Sequence, residues 1–165
     1  TKTTGELPEK EYRAEIRITD CEIFGFTDND YINRRAGLNL KNQINAVIEH
    51  LTIYDCEIAF RLRGPHEYGG AHVSITRSIA YNNDLTFRLE DNLQFLSIQN
   101  SIFDNNLNQK YMYEAGKGVN KHGFKVNNCT FLLALPDIVD PKTNTVAEPS
   151  DFANYSNRKY NRISR

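Results

Sequence analysis

The chain has 165 residues, a formal net charge of −1 and 39% hydrophobic residues. This length suits a single domain, and the near-zero net charge removes the electrostatic case for binding nucleic acid or an anionic membrane surface. No run approaches the roughly eighteen consecutive apolar residues of a membrane-spanning helix, so the sequence predicts no membrane span.

Residues 1–13 are short and polar, and we assign them to an N-terminal extension. From residue 14 a short pattern begins to recur. Two large apolar residues alternate with polar ones, and a small residue follows three positions after the second of them. Such alternation predicts strands with one buried face. The five matches are Ile16, Ile18 and Cys21; Leu51, Ile53 and Cys56; Val73, Ile75 and Ser78; Leu96, Ile98 and Ser101; Phe124, Val126 and Cys129.

The residue directly before the small residue predicts a sharp corner. Four of the five are Asp or Asn, whose side chains bond local backbone and tolerate a left-handed conformation. Stacked corners would also allow amide side chains to hydrogen-bond from coil to coil. The five positions are Asp20, Asp55, Arg77, Asn100 and Asn128.

A second series of alternating segments follows these corners, at residues 37–41, 59–63, 86–90 and 111–114. Residues 45–51 could form a helical turn, but the strand pattern takes precedence because it includes Leu51. Short strands that repeat about every 22 to 23 residues without helices are typical of a solenoid. The predicted fold is all-β, a parallel β-helix of about five coils.

The irregular spacing of the repeats indicates loops and a distinct end. Residues 25–36 and the stretch between 114 and 123 are predicted insertions. Residues 136–165 lose the pattern and are predicted to form a C-terminal cap or tail, which leaves residues 14–135 for the coils. Because no comparable cap precedes the first coil, we expect either further coils before it, as in the C-terminal part of a longer helix, or another chain covering this open end.

The run from Ile53 to Pro65, together with residues 73–78 and 96–103, resembles the repeat of the pectate-lyase-like right-handed parallel β-helix proteins. The resemblance covers roughly residues 14–135. It implies a right-handed helix, a secreted or cell-surface location, and contact with a polysaccharide along the sheet that contains residues 59–63. It is specific for the fold and says little about the activity.

On that sheet, Phe60 and Leu62 are expected to point inward and the intervening arginines outward. Stacking predicts two outward columns, the first formed by Asn39, Arg61, Arg88 and Met112, and the second by Lys41, Arg63, Glu90 and Glu114. Crowded positive charge can lower the pKa of an arginine or lysine enough for it to act as a base. The other interpretation is a solvated ladder of charges with no function.

Three sets of candidate site residues follow. The catalytic candidates for cleavage of a uronic acid polymer by β-elimination are Arg61, Arg63, Arg88 and Lys41. The substrate-binding candidates are Asn39, His66 and Tyr68; the other interpretation of the loop that holds His66 and Tyr68 is that it packs on itself. The candidate Ca²⁺ ligands, chosen because this ion prefers hard oxygen donors, are Glu90, Asp91 and Glu114.

The three cysteines are too few for a disulfide scaffold and lack zinc-site spacing. Cys21 and Cys56 occupy the same position of adjacent predicted coils, about 4.8 Å apart, which a disulfide can span. Their parallel side-chain directions disfavour that bond, so we expect buried free thiols. Cys129 lies too far along the chain to join them.

The sequence therefore predicts a secreted carbohydrate-active β-helix that binds, and by extension cleaves, an anionic polysaccharide. The alternative is a non-catalytic structural or adhesive subunit of a surface fibre or assembly. The arginines separate the two hypotheses. A lyase requires Arg61, Arg63 and Arg88 open to solvent in a groove, whereas a structural subunit predicts that they are buried against another chain or paired with Glu90 and Glu114.

Overall fold

The computed structural model describes residues 13–26, 35–41, 43–64, 70–91, 93, 95–104, 111–115, 119, 124–136, 139–148, 152–153 and 161–162. Every regular element in these ranges is a strand. The strands are β1 (Ala14–Thr19), β2 (Glu22–Phe24), β3 (Ala36–Leu40), β4 (Ile44–Glu49), β5 (Thr52–Tyr54), β6 (Ile58–Gly64), β7 (His72–Thr76), β8 (Ile79–Tyr81), β9 (Leu85–Asp91), β10 (Phe95–Gln99), β11 (Ile102–Phe103), β12 (Tyr111–Ala115), β13 (Phe124–Asn127), β14 (Thr130–Leu132), β15 (Thr145–Ala147), β16 (Phe152–Ala153) and β17 (Asn161–Arg162).

The strands form three parallel sheets that the chain visits in turn. Sheet A has the order β1-β4-β7-β10-β13, sheet B β2-β5-β8-β11-β14-β15, and sheet C β3-β6-β9-β12. This topology is a parallel β-solenoid, which confirms the predicted fold class. The sheets contain five, six and four strands, against a predicted five coils or so. The strands β16 and β17 form a separate antiparallel pair.

The core lies between the three sheets and consists of apolar columns that run along the solenoid. Ile18, Ile48, Ile75 and Ile98 are paired in register along sheet A. In sheet C, the buried rings of Phe60 and Phe87 stack with centroids 5.0 Å apart. The alternating sequence forms strands because each inward side chain packs against its equivalents in the neighbouring coils.

A left-handed residue turns the chain from sheet A into sheet B in every described coil. These residues have φ between 48° and 53°, and they are Asp20, His50, Arg77, Asn100 and Asn128. The predicted corner is thus confirmed at four positions, with His50 in place of Asp55. Asn128 donates to Asn100 along this column, as expected for stacked amides. Asp55 (φ 52°) instead turns the chain from sheet B towards sheet C and accepts from Asn82.

The predicted register of the second coil was wrong. The residues that pair with Ile16 and Ile18 are Ala46 and Ile48, and so residues 44–49 form strand β4 rather than a helical turn. Ile53 belongs to sheet B, where it pairs with Ile23. The error has a physical origin: the core accepts the small Ala46 at a position where the pattern required a large apolar residue.

The corrected register separates the two cysteines that the sequence placed together. The carbonyl of Cys21 accepts from Thr52, whereas that of Cys56 accepts from Asp84, so they belong to different corners of the solenoid. All three thiols are free, as predicted. Cys56 and Cys129 are buried, but Cys21 is exposed, which corrects the expectation for that residue.

Part of the segment 136–165 continues the solenoid. Strand β15 pairs in parallel with β14, with Val146 opposite Phe131, and adds the last strand of sheet B. Val139 is buried against the core of the same end. The predicted cap region therefore includes one more strand of the repeat. In the described ranges there is no helix long and apolar enough to cross a membrane.

Candidate functional site

The outer face of sheet C carries the predicted arginines. In strand β6, Phe60 and Leu62 are fully buried, and Arg61 and Arg63 alternate with them on the outward side. Asn39 pairs in register with Arg61, and Arg61 with Arg88, so the first predicted column is confirmed over these three coils. We call the outward side chains of Arg61, Arg63, Arg88, Glu90 and Asp91 the arginine cluster.

Glu90 lies at the centre of this cluster. Its Oε2 accepts from Arg61 Nε at 2.7 Å and its Oε1 from Arg61 Nη2 at 3.1 Å, a bidentate pair. Arg88 Nε lies 2.9 Å from Oε1 and Arg63 Nε 3.1 Å from Oε2, as ion pairs without hydrogen-bond alignment at these atoms. One carboxylate thus lies within ion-pair distance of three guanidinium groups, and Asp91 Oδ2 lies 3.3 Å from Arg63 Nε.

The electrostatics of the cluster follow from this arrangement. Burial opposes the charge of Glu90, but the hydrogen bond from Arg61 and the charges of Arg61, Arg88 and Arg63 lower its pKa overall. The hydrogen bond to Glu90 raises the pKa of Arg61, against a smaller opposing effect of burial. An arginine that acts as a base needs a lowered pKa, so Arg61 is held in the state opposite to the one that abstraction of a proton requires.

The cluster is nevertheless accessible and positively charged. The side chains of Arg61, Arg63 and Arg88 are 25%, 29% and 24% exposed. Their three positive charges exceed the two negative charges of Glu90 and Asp91. Lys41, exposed and directly after strand β3, adds a further positive charge two residues beyond Asn39, in line with the second column. Guanidinium groups suit oxyanions such as carboxylates and sulfates, to which they can donate two parallel hydrogen bonds.

The second predicted column is only partly correct. Arg63 pairs with Glu90, as expected. Glu114, however, pairs with Arg88 rather than with Glu90, because β12 is displaced by two residues from the predicted register and brings Tyr113 beside Phe87. The prediction that Met112 lies beside Arg88 was therefore wrong. His66 and Tyr68 fall outside the described residues.

The sequence interpretation gave Glu90 two possible roles, a calcium ligand or a partner of the arginines. The structure shows its carboxylate paired with three arginines, and what the sequence did not indicate is that all three converge on it. The sequence contained a signal for these contacts. Glu90 was predicted to lie beside Arg63, and it therefore lies one coil away from Arg61 as well. Within the described ranges no group of three His, Cys, Asp or Glu side chains is placed to hold a metal ion. Calcium binding by Glu90, Asp91 and Glu114 stays a prediction.

Comparison of the chain with protein-family models, curated proteins and solved structures gives no match. The solenoid is therefore established by strand pairing, and the resemblance to pectate-lyase-like proteins depends on the repeat pattern alone.

Proposed function

We propose that this β-solenoid is an extracellular carbohydrate-binding protein that holds an anionic polysaccharide along the outer face of sheet C. The observation that carries the proposal is the convergence of Arg61, Arg63 and Arg88 on the carboxylate of Glu90, with Asp91 also paired to Arg63. A ligand carboxylate or sulfate would meet guanidinium groups that already take part in ion pairs on one face of the sheet, so less side-chain entropy is lost on binding.

In the proposed site, the regular spacing of the coils meets the regular spacing of charges along a polymer. Arginines at paired positions of β6 and β9 lie on successive coils, about 4.8 Å apart. A linear polymer of uronic acids or sulfated sugars presents negative charges at regular intervals. The arginines of β6 and β9 could therefore meet more than one of these charges at once, with Asn39 and Lys41 extending the surface towards the first coil.

Cleavage by β-elimination, the catalytic extension of this proposal, lacks comparable support. The raised pKa of Arg61 is unfavourable for a base. The pairing of all three arginines with Glu90 is the pattern expected of the alternative, a non-catalytic structural or adhesive subunit. Because the arginines retain about a quarter of their exposure, binding without chemistry fits both observations.

Binding is tested by calorimetric titration with polygalacturonate, alginate and chondroitin sulfate at low ionic strength, with neutral dextran as the control polymer. We expect binding of at least one acidic polymer, weakened by added salt. The double variant Arg61→Ala/Arg88→Ala should weaken it about tenfold or more. Lys125→Ala, which removes an exposed positive charge from the outer side of sheet A, should leave it unchanged.

The same samples test catalysis and the structural alternative. Release of unsaturated uronate, measured by ultraviolet absorbance, is expected to be zero, and a rise that disappears in the double variant would establish a lyase. No heat with any acidic polymer, or equal binding by the double variant, would contradict the proposal and favour the structural subunit.

A further inference from the structure

Within the part of the chain that the structure describes, the first coil ends in open strand edges. In the described residues, β1 pairs only with β4, β2 only with β5 and β3 only with β6. We call the side of the molecule formed by the outer edges of β1, β2 and β3 the front end. Two large apolar residues of the first coil are also exposed, Phe24 at 56%, although it stacks on Tyr54 of the next coil, and Phe26 at 43%. Open edges and exposed aromatic residues together mark a surface that favours association.

Strand β1 is the longest of these three edges, and its hydrogen-bonding groups alternate in direction. The N–H groups of Ala14 and Asp20 donate to Gln43 and Glu49, at the two ends of its pairing with β4. Even-numbered residues of β1 therefore direct their backbone groups to β4, because residues of a parallel strand alternate between its two sides. The backbone groups of Glu15, Arg17 and Thr19 are directed to the open edge.

The outward side chains of β1 have a self-complementary order. Glu15 and Arg17 are both exposed and flank Ile16 with opposite charges. If two copies of β1 pair antiparallel about Ile16, Glu15 of each copy stands directly opposite Arg17 of the other. Both residues have their backbone groups directed to the open edge, so each such pair also exchanges two N–H···O bonds.

The charges of Glu15 and Arg17 favour this register of the β1 pair over the registers shifted to either side. Only registers that pair odd-numbered residues with each other connect the outward backbone groups. A shift in one direction places Glu15 opposite itself, and a shift in the other places Arg17 opposite itself. Like charges directly opposite each other destabilise a strand pair, whereas opposite charges stabilise it.

The inward face of β1 supports the same register. Pairing about Ile16 places the two Ile16 side chains against each other and Ala14 against Ile18. Ile16 and Ile18 are only half-buried in the single chain, although they occupy core columns. The second copy would cover this remaining apolar surface, which is the main driving force for association.

From these observations we infer that the occupant of the front end is a second copy of this chain, joined through antiparallel pairing of β1 with β1 about a twofold axis. The two five-stranded sheets A then form one continuous sheet, and the interface is closed, as in most homodimers. The inference does not depend on the proposed function, because the arginine cluster lies on sheet C of each copy.

The experiment measures molar mass by sedimentation over a range of protein concentrations. The wild-type chain should pass from monomer to dimer as its concentration rises. Arg17→Glu and Glu15→Arg each create two like-charged pairs across the twofold axis, and each should weaken dimerisation about tenfold or more. The double variant Glu15→Arg/Arg17→Glu restores opposite charges and should recover the dimer.

Folding of each variant is checked by circular dichroism, because Glu15 also accepts a hydrogen bond from Asn45 within the chain. The double variant lacks this bond as well, and so its recovery would separate the interface from the fold. A wild-type chain that stays monomeric, a trimer or open polymer, or a double variant no better than the single reversals would each overturn the inference.

Discussion

The two ends of the solenoid give the same core columns different environments. Ile18 and Ile23 at the front end are only partly buried, although they are paired with Ile48 and Ile53, whose side chains have 0% exposure. At the opposite end, which we call the back end, Phe131 is 2% exposed because β15 and the loop before it cover β14. An inward side chain is thus fully buried only where a neighbouring coil covers each side.

This difference shows that the repeat alone does not determine the stability of a coil. An apolar residue contributes through the surface that it removes from water, and the repeat places equivalent residues in unequal surroundings. Matched pairs of residues in one column therefore separate the contribution of position from that of residue type.

The largest expected effect concerns the isoleucine column of sheet A. Ile48→Ala should lower the free energy of unfolding by about 2–5 kcal/mol, because it opens a cavity in the closed core. Ile18→Ala removes the same atoms at the front end and should cost about half as much or less, since water already reaches the site. Urea denaturation at concentrations where the chain is monomeric measures both. Equal losses would contradict the comparison of the front end with the interior.

A smaller effect is expected for two buried asparagines that perform the same task. Asn83 accepts from Cys56 N at 3.1 Å and donates to Ile53 O at 3.2 Å in the interior of the solenoid. Asn83→Ala leaves the backbone groups Cys56 N and Ile53 O buried without these hydrogen bonds. It should lower the free energy of unfolding by about 2–4 kcal/mol, less than the upper limit expected for Ile48→Ala.

Asn144 is the matched residue at the back end. It accepts from Cys129 N at 3.0 Å and donates to Val126 O at 2.8 Å. Asn144→Ala should cost about 1–2 kcal/mol, because water can reach the freed groups more easily at the end of the solenoid. Thermal unfolding compares the two variants. A larger loss for Asn144→Ala would show that the back end is the better-closed end.

The arginine cluster should make the free energy of unfolding depend on pH in the acid range. This effect should be smaller than those of the buried residues. Because the folded-state pKa of Glu90 lies below its usual value of 4.5, its contribution is fully present above pH 4.5. It is lost as the pH falls through the lower folded-state value. The contribution is about 1 kcal/mol or less, since solvent reaches the cluster.

Glu90→Gln should flatten the loss of stability below pH 4.5, as followed by urea denaturation at a series of pH values. A profile that stays as steep in Glu90→Gln would show that the arginines do not stabilise the Glu90 carboxylate.

The fold class was predictable because alternation and corner residues recur. The period of two identifies strands such as β7 and β10, and Asn100 and Asn128 mark corners where the backbone needs a left-handed residue. Sheet B was not recognised, since its two- or three-residue strands are too short to show a period. The predicted register was wrong at Ala46, because the core accepts a small side chain at a position where the hydrophobic pattern required a large one.

The candidate site was predictable as a set of outward positions but not as a set of contacts. Alternation with Phe60 and Leu62 was enough to place Arg61 and Arg63 outside. Which partner each arginine meets depends on the register between coils and on rotamers, which the pattern of one strand does not contain. The shift of β12 moved Glu114 from Glu90 to Arg88 for this reason.

The smallest expected effect on stability concerns two cysteines that each follow a left-handed residue between sheets A and B. They are Cys21 at the front end and Cys129 near the back end. Cys129 is buried, and burial raises its pKa to about 11. Since the thiolate is the reactive form, raising the pH from about 7 to 9 should not make Cys129 react with a thiol reagent. Cys21 is exposed and should react in the native protein.

A colorimetric thiol titration of the native chain should therefore detect one fast thiol, and in denaturant three. Cys56 should behave as Cys129 does, because burial also raises its pKa. Cys21→Ser should abolish the fast phase and change the free energy of unfolding by less than about 0.5 kcal/mol. Two or more fast thiols would mean that the coils beyond the front end open readily. If a second copy covers the front end, the reaction of Cys21 should slow as the protein concentration rises, while that of the buried thiols should not change.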